Sequence, residues 1–148
     1  MYLAKRPLCI CGNWCLFMAR PKGKSGSGTR RFVMLPHNLL SLPEFINLSF
    51  TAKSLLIEFL IQYNGKNNGD FSNTRKILLP RGWSSNATIQ KATSELIKAE
   101  LIILSRQGGR HKCNLYGITW EPINECGGKL DISPTRTPLK PLSFRKHA

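Results

Sequence analysis

The chain is short of acidic residues. It has 8 Asp and Glu against 22 Lys and Arg, a formal net charge of +14 at pH 7 over 148 residues. Such an excess of one sign repels itself and implies a polyanionic partner, nucleic acid first and an anionic membrane second. The few carboxylates form no close pair for acid–base or two-metal chemistry, and the Walker and Gly-x-Ser-x-Gly motifs are missing. His37, His111 and His147 lie in unrelated contexts, so we expect no catalysis and no cofactor.

Long apolar runs and a paired cysteine pattern are also missing. No apolar run reaches the roughly 18 residues that a membrane span needs. The short apolar segment 8–19, "LCICGNWCLFMA", is followed by "RPKGK" rather than by a small-residue cleavage site. Five cysteines, an odd number, argue against a closed disulfide framework, and the C-x-C-x3-C spacing of Cys9, Cys11 and Cys15 is wrong for structural zinc. We expect a cytoplasmic protein with no membrane partner and no bound metal.

The positive charge is unevenly distributed. Residues 1–31 carry seven basic and no acidic residues, residues 71–120 carry eight against two, and residues 32–70 are nearly neutral. The segment 18–31, "MARPKGKSGSGTRR", predicts a flexible basic arm. Met18 stands at the start of this arm and is a second possible start of translation. Residues 1–17 are therefore either translated or a non-native extension. We expect the arm to meet phosphates through Lys22, Lys24, Arg30 and Arg31.

Three helices are predicted in the core. The strongest begins after Ser49 as N-cap and ends at Gly65 as a left-handed residue. Its apolar residues recur on one face of a 3.6-residue period, namely Ala52, Leu55, Leu56, Phe59, Leu60 and Tyr63. A short helix is predicted from Asn73 to Leu79, with Ser72 as its cap and Pro80 as its stop. A third helix is capped by Ser84 or Ser85 and runs to about Ala99, with an inward face of Ile89, Ala92, Thr93, Leu96 and Ala99.

Two strands and a basic loop follow the third helix. "LIILS" at 101–105 and "NLYGITW" at 114–120 have strand composition, and Tyr116, Ile118 and Trp120 alternate onto one face of the second. Between them "RQGGRHKC" predicts a hairpin loop with Gly108–Gly109 at its tip. From Glu121 onward, prolines, glycines and the lack of any period predict an extended tail, 121–148.

This order of elements is that of a winged helix-turn-helix domain, mainly α with a small β-hairpin. The prediction is a three-helix core plus wing over residues 32–120, between the basic arm and the extended tail. A major groove of about 12 Å admits one helix, and "SSNATIQK" at 84–91 supplies short polar side chains to reach base edges. The recognition helix is thus placed at about 84–99, with predicted DNA contacts from Ser84, Ser85, Asn86, Thr88, Gln90 and Lys91. The basic wing, 105–113, should meet phosphates through Arg106, Arg110 and Lys112.

Several stretches resemble bacterial and phage-encoded winged helix-turn-helix proteins. They are residues 42–69, which begin "LPEF", and, more closely, residues 79–131, which include "LPRGWSSNATIQK". Residues 18–36 resemble the usual N-terminus of that group, which supports Met18 as the start. The likeness covers about residues 18–138. These proteins are largely uncharacterised and sometimes labelled replication- or regulation-related, so the resemblance implies the fold and binding of double-stranded DNA without catalysis.

Two features depart from the broader helix-turn-helix pattern, and a second function stays open. The second helix is short and ends in Pro80-Arg81-Gly82, and no long helix with an apolar seam follows the wing to form a dimer. The same fold also serves RNA-binding and protein-interaction modules. For RNA, Trp83, Tyr116 and Trp120 are the candidate stacking residues, although alternation favours the core for the last two.

Overall fold

A computed structural model describes residues 32–142. Its helices are α1 (His37–Leu40), α2 (Pro43–Ile46), α3 (Phe50–Gln62), α4 (Arg75–Leu78) and α5 (Asn86–Lys98), and its strands are β1 (Ile102–Arg106) and β2 (Leu115–Ile118). This part of the chain is mainly helical with one two-stranded antiparallel hairpin, as the sequence predicts. The short helices α1 and α2 were not predicted. None of the helices in residues 32–142 has the length and apolar character needed to span a bilayer.

Helix α3 begins as predicted but ends earlier. The Ser49 side chain accepts a hydrogen bond from the Ala52 N–H at 3.2 Å, which satisfies one of the first free amides. The buried residues are those of the predicted face, Ala52, Leu55, Leu56, Phe59 and Leu60. The helix stops at Gln62 because Tyr63 takes an extended backbone conformation, φ −70° and ψ 129°, and the Asn67 Nδ2 donates to the Gln62 carbonyl at 2.8 Å. The Gln62 side chain also pairs with the backbone N–H and C=O of Ser72, at 2.9 and 3.0 Å. Gly65, at φ +90°, therefore lies in the next turn and does not cap the helix.

The second helix differs from the prediction at both ends. Helix α4 starts at Arg75 after Thr74, and it runs directly into a 3-10 turn over Leu79–Arg81. Pro80 is no stop, because it occupies an early position of that turn, where a backbone N–H is not needed. Gly82 ends the turn with a left-handed backbone, φ +92°.

Helix α5 and the strands follow the predicted order. Ser85 is the N-cap, its Oγ accepting the Thr88 N–H at 3.4 Å, and the buried residues are Ile89, Ala92, Thr93 and Leu96. Outside the two strands, Phe71 pairs with Tyr116 of β2 through both backbone N–H groups, at 3.1 and 2.8 Å. Phe71 thereby forms an isolated β-bridge beside β2, where a third strand of the sheet would lie.

Strand β2 is buried on both faces, not on one as its alternating pattern predicts. The second face is covered closely: a Cβ on Gly117 would lie 2.9 Å from Ile123 and 3.1 Å from Asn68. Trp120 is buried as expected, but it lies just beyond the end of the strand.

The hairpin tip is not where the sequence placed it. Gly109 pairs with Lys112, with N–O distances of 2.9 and 3.2 Å, so Arg110 and His111 form the two-residue turn at the end. Gly108 lies in the narrow neck below, where a Cβ would come within 2.6 Å of the Asn114 Oδ1 and 2.7 Å of its backbone nitrogen. A Cβ on Gly109 would meet no atom of residues 32–142 within 4 Å. Only Gly108 is therefore needed for close approach of the two arms of the hairpin.

The segment after Trp120 packs back onto the domain. Ile123 is 1% exposed, Leu142 packs against the core, and the Lys140 N–H donates to the Thr119 carbonyl at 2.9 Å. The predicted domain boundary at residue 120 is thus too early, since residues 121–142 share the core. Apart from one 3-10 turn at Cys126–Gly128, this segment lacks regular structure, as its composition indicates.

Asn68 joins this segment to the sheet. It is fully buried, its Nδ2 lies 2.9–3.0 Å from the carbonyls of Ile118, Glu121 and Pro122, and its Oδ1 accepts the Ile118 N–H at 2.8 Å. Its own backbone N–H and C=O pair with Asn124, at 2.8 and 3.0 Å. The Asn68 side chain therefore satisfies backbone groups at the end of β2 and just after it, which lie 50 to 54 residues further along the chain.

Candidate nucleic-acid interface

The predicted groove-facing residues form one exposed polar surface around the start of α5, which we call the α5 surface. All six are exposed, while the opposite side of the helix packs against α3. The first turn of the helix also presents backbone N–H groups and the positive end of the helix dipole. The members of the α5 surface are Ser84, Ser85, Asn86, Thr88, Gln90 and Lys91.

The α5 surface has two different flanks. On one side Thr88 and Lys91 line a shallow groove together with Thr51 of α3. On the other side Thr93 accepts a hydrogen bond from the Asn73 side chain at 2.9 Å, which directs that flank toward the sheet. By the 3.6-residue period, Asn86 and Gln90 share this second flank. Asn86 and Gln90 thus lie toward the sheet, and Thr88 and Lys91 lie toward α3.

The hairpin presents two of its three predicted phosphate-binding residues. Arg110 and Lys112 are exposed beside His111 at the tip, and neither forms an ion pair within residues 32–142. Arg106 is half-buried, and its Nη2 donates to the Cys113 carbonyl at 3.1 Å across the hairpin. Its Nε is buried and has no hydrogen-bond partner among residues 32–142. Arg106 therefore ties the two arms of the hairpin together and is less available to a ligand than the other two.

A series of side chains connects α5 with the neck of the hairpin. The Asn73 Nδ2 lies 2.9 Å from the Thr93 Oγ1 and 3.4 Å from the Tyr116 hydroxyl. The Asn114 Nδ2 lies 3.3 Å from the same hydroxyl, and its Oδ1 accepts the Gly108 N–H at 2.6 Å. The hairpin is thus positioned relative to the helix by polar contacts that the sequence did not predict. Asn73 and Asn114 were assigned only as the first residues of a helix and of a strand, and no local pattern shows what their side chains contact.

Acidic side chains near this region are held in specific contacts. The Glu95 carboxylate accepts the Ser49 N–H at 2.8 Å and its hydroxyl at 2.6 Å, and these bonds lower the pKa of Glu95. Glu58 pairs with Arg81. The hydrogen bond from Lys140, at 2.8 Å, lowers the pKa of Glu100. Arg110 and Lys112 form no ion pair within residues 32–142. The charge of Lys91, in contrast, adds to the lowering of the pKa of Glu95.

Two of the three candidate stacking aromatics are not accessible. Tyr116 and Trp120 are 4% and 6% exposed, so they belong to the core, as their alternation indicates. Trp83 is half-buried and lines the groove between α3 and α5. Among the described residues the most exposed aromatic is Phe50, at 86%, in the first turn of α3. The Lys53 Nζ lies 5.6 Å from its ring centre. Phe50 lies outside the apolar face that the helix period defines, so the sequence pattern did not point to it.

Several predicted features lie outside the described residues. They are the arm cations and the first cysteines, namely Lys22, Lys24, Arg30, Arg31, Cys9, Cys11 and Cys15. Within residues 32–142 no three His, Cys, Asp or Glu side chains converge as metal ligands, and Cys113 and Cys126 are free thiols.

Comparison of the chain with protein-family models, curated proteins and solved structures gives no match. Function has to be inferred from the residues and their geometry, since a fold alone does not specify it.

Proposed function

We propose that the protein binds double-stranded DNA without catalysis, as a winged helix-turn-helix of the bacterial or phage type that the sequence resembles. In this proposal α5 enters the major groove and the hairpin acts as the wing on the adjacent backbone. One observation carries it: the exposed polar start of α5 and the cationic turn at Arg110–Lys112 are connected by the side-chain contacts of Asn73, Tyr116 and Asn114.

The order of the elements supports this fold. The sequence of helix α3, the Phe71 bridge, α4, α5, β1, hairpin and β2 is the one expected of a winged domain, with Phe71 in the place of its first strand. The 3-10 turn at Leu79–Arg81 continues α4 to Gly82, and only Trp83, Ser84 and Ser85 separate Gly82 from the start of α5.

The chemistry of the α5 surface supports base contacts. Asn and Gln side chains can form paired hydrogen bonds with the exposed edge of adenine, and Ser and Thr can bond to several bases. Asn86 and Gln90 lie on the flank toward the sheet, and both are exposed in the first half of the helix. We therefore expect Asn86→Ala to change the sequence preference by about 1–3 kcal/mol at one base position. An equal loss of affinity on every sequence would contradict base reading by Asn86.

The wing cations supply a salt-dependent test. Removing one cation that binds a phosphate should reduce the slope of log K against log salt by about 0.9 on duplex DNA. Lys112→Ala should therefore weaken all duplexes alike and lower the slope by about one. Lys66→Ala is the matched control, because Lys66 is also exposed but lies in the turn after α3. The same slope change in both variants would show that only the overall charge matters.

Selection of bound fragments from random duplexes is the experiment that decides most. We expect the selection to yield a defined bound sequence. If the wild-type protein enriches no sequence and binds duplex DNA weakly, base reading by α5 is refuted. Single-stranded and double-stranded RNA of matched length should be measured in parallel. The RNA-binding alternative has less support because two of its three stacking candidates, Tyr116 and Trp120, are buried. Tighter binding to RNA than to duplex DNA would favour it, and a protein-interaction role stays a separate alternative.

A further inference from the structure

The outer edge of β1 is covered by one residue of the C-terminal segment. The Asp131 N–H donates to the Ser105 carbonyl at 2.9 Å, and its Oδ2 accepts the Gln107 N–H at 2.7 Å. Ser105 and Gln107 are alternate residues, so both contacts lie on the same edge of the hairpin. Without them this strand would leave its edge groups unpaired at the point where the hairpin leaves the core.

The covering segment is itself attached to the core. Leu130 packs so closely on Gly69 that a Cβ there would lie 2.7 Å from the Leu130 Cδ1. Lys129 forms an ion pair with Asp70 at 2.8 Å. The carbonyl of Gly69 also accepts a hydrogen bond from the Ser105 hydroxyl. Asp131 therefore connects the hairpin to a fixed part of the molecule.

We propose that Asp131 is a positioning residue for nucleic-acid binding, a role that rests on the proposed function. It holds Gln107, three residues before Arg110, while Asn114 holds Gly108 from the other arm at 2.6 Å. A hairpin fixed at both sides of its neck presents the Arg110–Lys112 turn in one orientation. It then loses less conformational entropy when those cations meet phosphates.

The charge of Asp131 makes this role separable from simple electrostatics. An anion near the hairpin cations opposes binding to DNA, so removing its charge should strengthen binding if charge alone matters. Asp131→Asn removes the charge and keeps an acceptor oxygen for the Gln107 N–H. Asp131→Ala removes both the charge and the acceptor. If Asp131 positions the hairpin, Asp131→Ala should therefore weaken binding, whereas Asp131→Asn should not.

We expect Asp131→Ala to bind duplex DNA about fivefold more weakly than wild type, roughly the effect of one ordinary hydrogen bond. Asp131→Asn should bind as well as wild type or better. Glu125→Ala is the matched control, because Glu125 is an exposed acid of the same segment with no side-chain hydrogen bond within residues 32–142. It should leave affinity equal or slightly higher. If the Asp131→Ala variant binds duplex DNA as tightly as the Asp131→Asn variant, the positioning role is overturned.

Amide hydrogen exchange of the free protein supplies a second readout. The amides of Gln107 and Gly109 should exchange faster in Asp131→Ala than in wild type and be unchanged in Glu125→Ala. Unchanged exchange in Asp131→Ala would also overturn the proposal, whatever its affinity. Wild-type protein that binds no duplex would refute the proposed function and this role with it, whereas equal binding by wild type and Asp131→Ala would refute the positioning role alone.

Discussion

Replacement of Asn68 by alanine should remove a large share of the folding stability. The side chain is fully buried and contacts four backbone groups, three carbonyls and the Ile118 N–H. Two N–H hydrogens serve the three carbonyls, so the alanine variant loses about two ordinary hydrogen bonds of about 1 kcal/mol each. It also leaves the buried Ile118 N–H without an acceptor, at about 1–3 kcal/mol. We expect a total loss of about 3–5 kcal/mol, against a typical domain stability of roughly 5–15 kcal/mol.

Urea unfolding followed by tryptophan fluorescence and circular dichroism would measure this loss. The linear extrapolation gives the free energy of unfolding and the midpoint for each variant. Asn67→Ala is the matched control, because Asn67 lies in the same turn but is only half-buried, with two hydrogen bonds of 2.8 Å. It should lose about 1–2 kcal/mol. Equal losses in the two variants would refute the reasoning that the buried backbone groups depend on Asn68.

Two further predictions concern pH and the hairpin neck. Hydrogen bonds from Ser49 lower the pKa of Glu95 in the folded state. The ionised Glu95 therefore adds to the free energy of unfolding at pH values above its ordinary pKa of about 4.3, and this stabilisation is lost as the pH falls through the lower pKa of the folded state. At pH 7 the free energy of unfolding in urea should therefore be higher for wild type than for Glu95→Gln, and the difference should shrink below about pH 4. A difference that grows in acid would contradict a lowered pKa of Glu95. Gly108→Ala places a Cβ 2.6 Å from the Asn114 Oδ1 and should lower both the thermal midpoint and duplex affinity. Gly109→Ala has open space and should change neither; a drop in thermal midpoint as large as that of Gly108→Ala would show that backbone flexibility, not steric contact, is what matters.

Features that depend on neighbouring residues were predictable from the sequence. The N-caps Ser49 and Ser85 act on amides three residues ahead, and the structure confirms both. The buried faces of α3 and α5 follow the helix period, because a side chain's direction is set by its place in the turn. The exposed polar start of α5, which is the core of the candidate site, follows from the same geometry.

Features that depend on distant residues were not predictable. Gly65 is a typical residue for a helix end, but the chain becomes extended earlier, at Tyr63, where the Asn67 side chain binds the last helical carbonyl, that of Gln62. The basic loop was predicted, yet the pairing of Gly109 with Lys112 moved its tip by two residues. Arg106 resembles the other loop cations in sequence, and only the folded hairpin directs it to the Cys113 carbonyl.

Local sequence was enough to specify the main helices, their caps, their apolar faces and the excess of positive charge, since each depends on backbone geometry over a few residues or on composition. Only the folded chain reveals that residues 121–142 join the domain, that Asn68 holds them, and that Asp131 and Asn114 grip the hairpin neck. Several of these contacts satisfy backbone groups tens of residues away. No local pattern encodes such a partner, because burial creates the need for it only once the chain has folded.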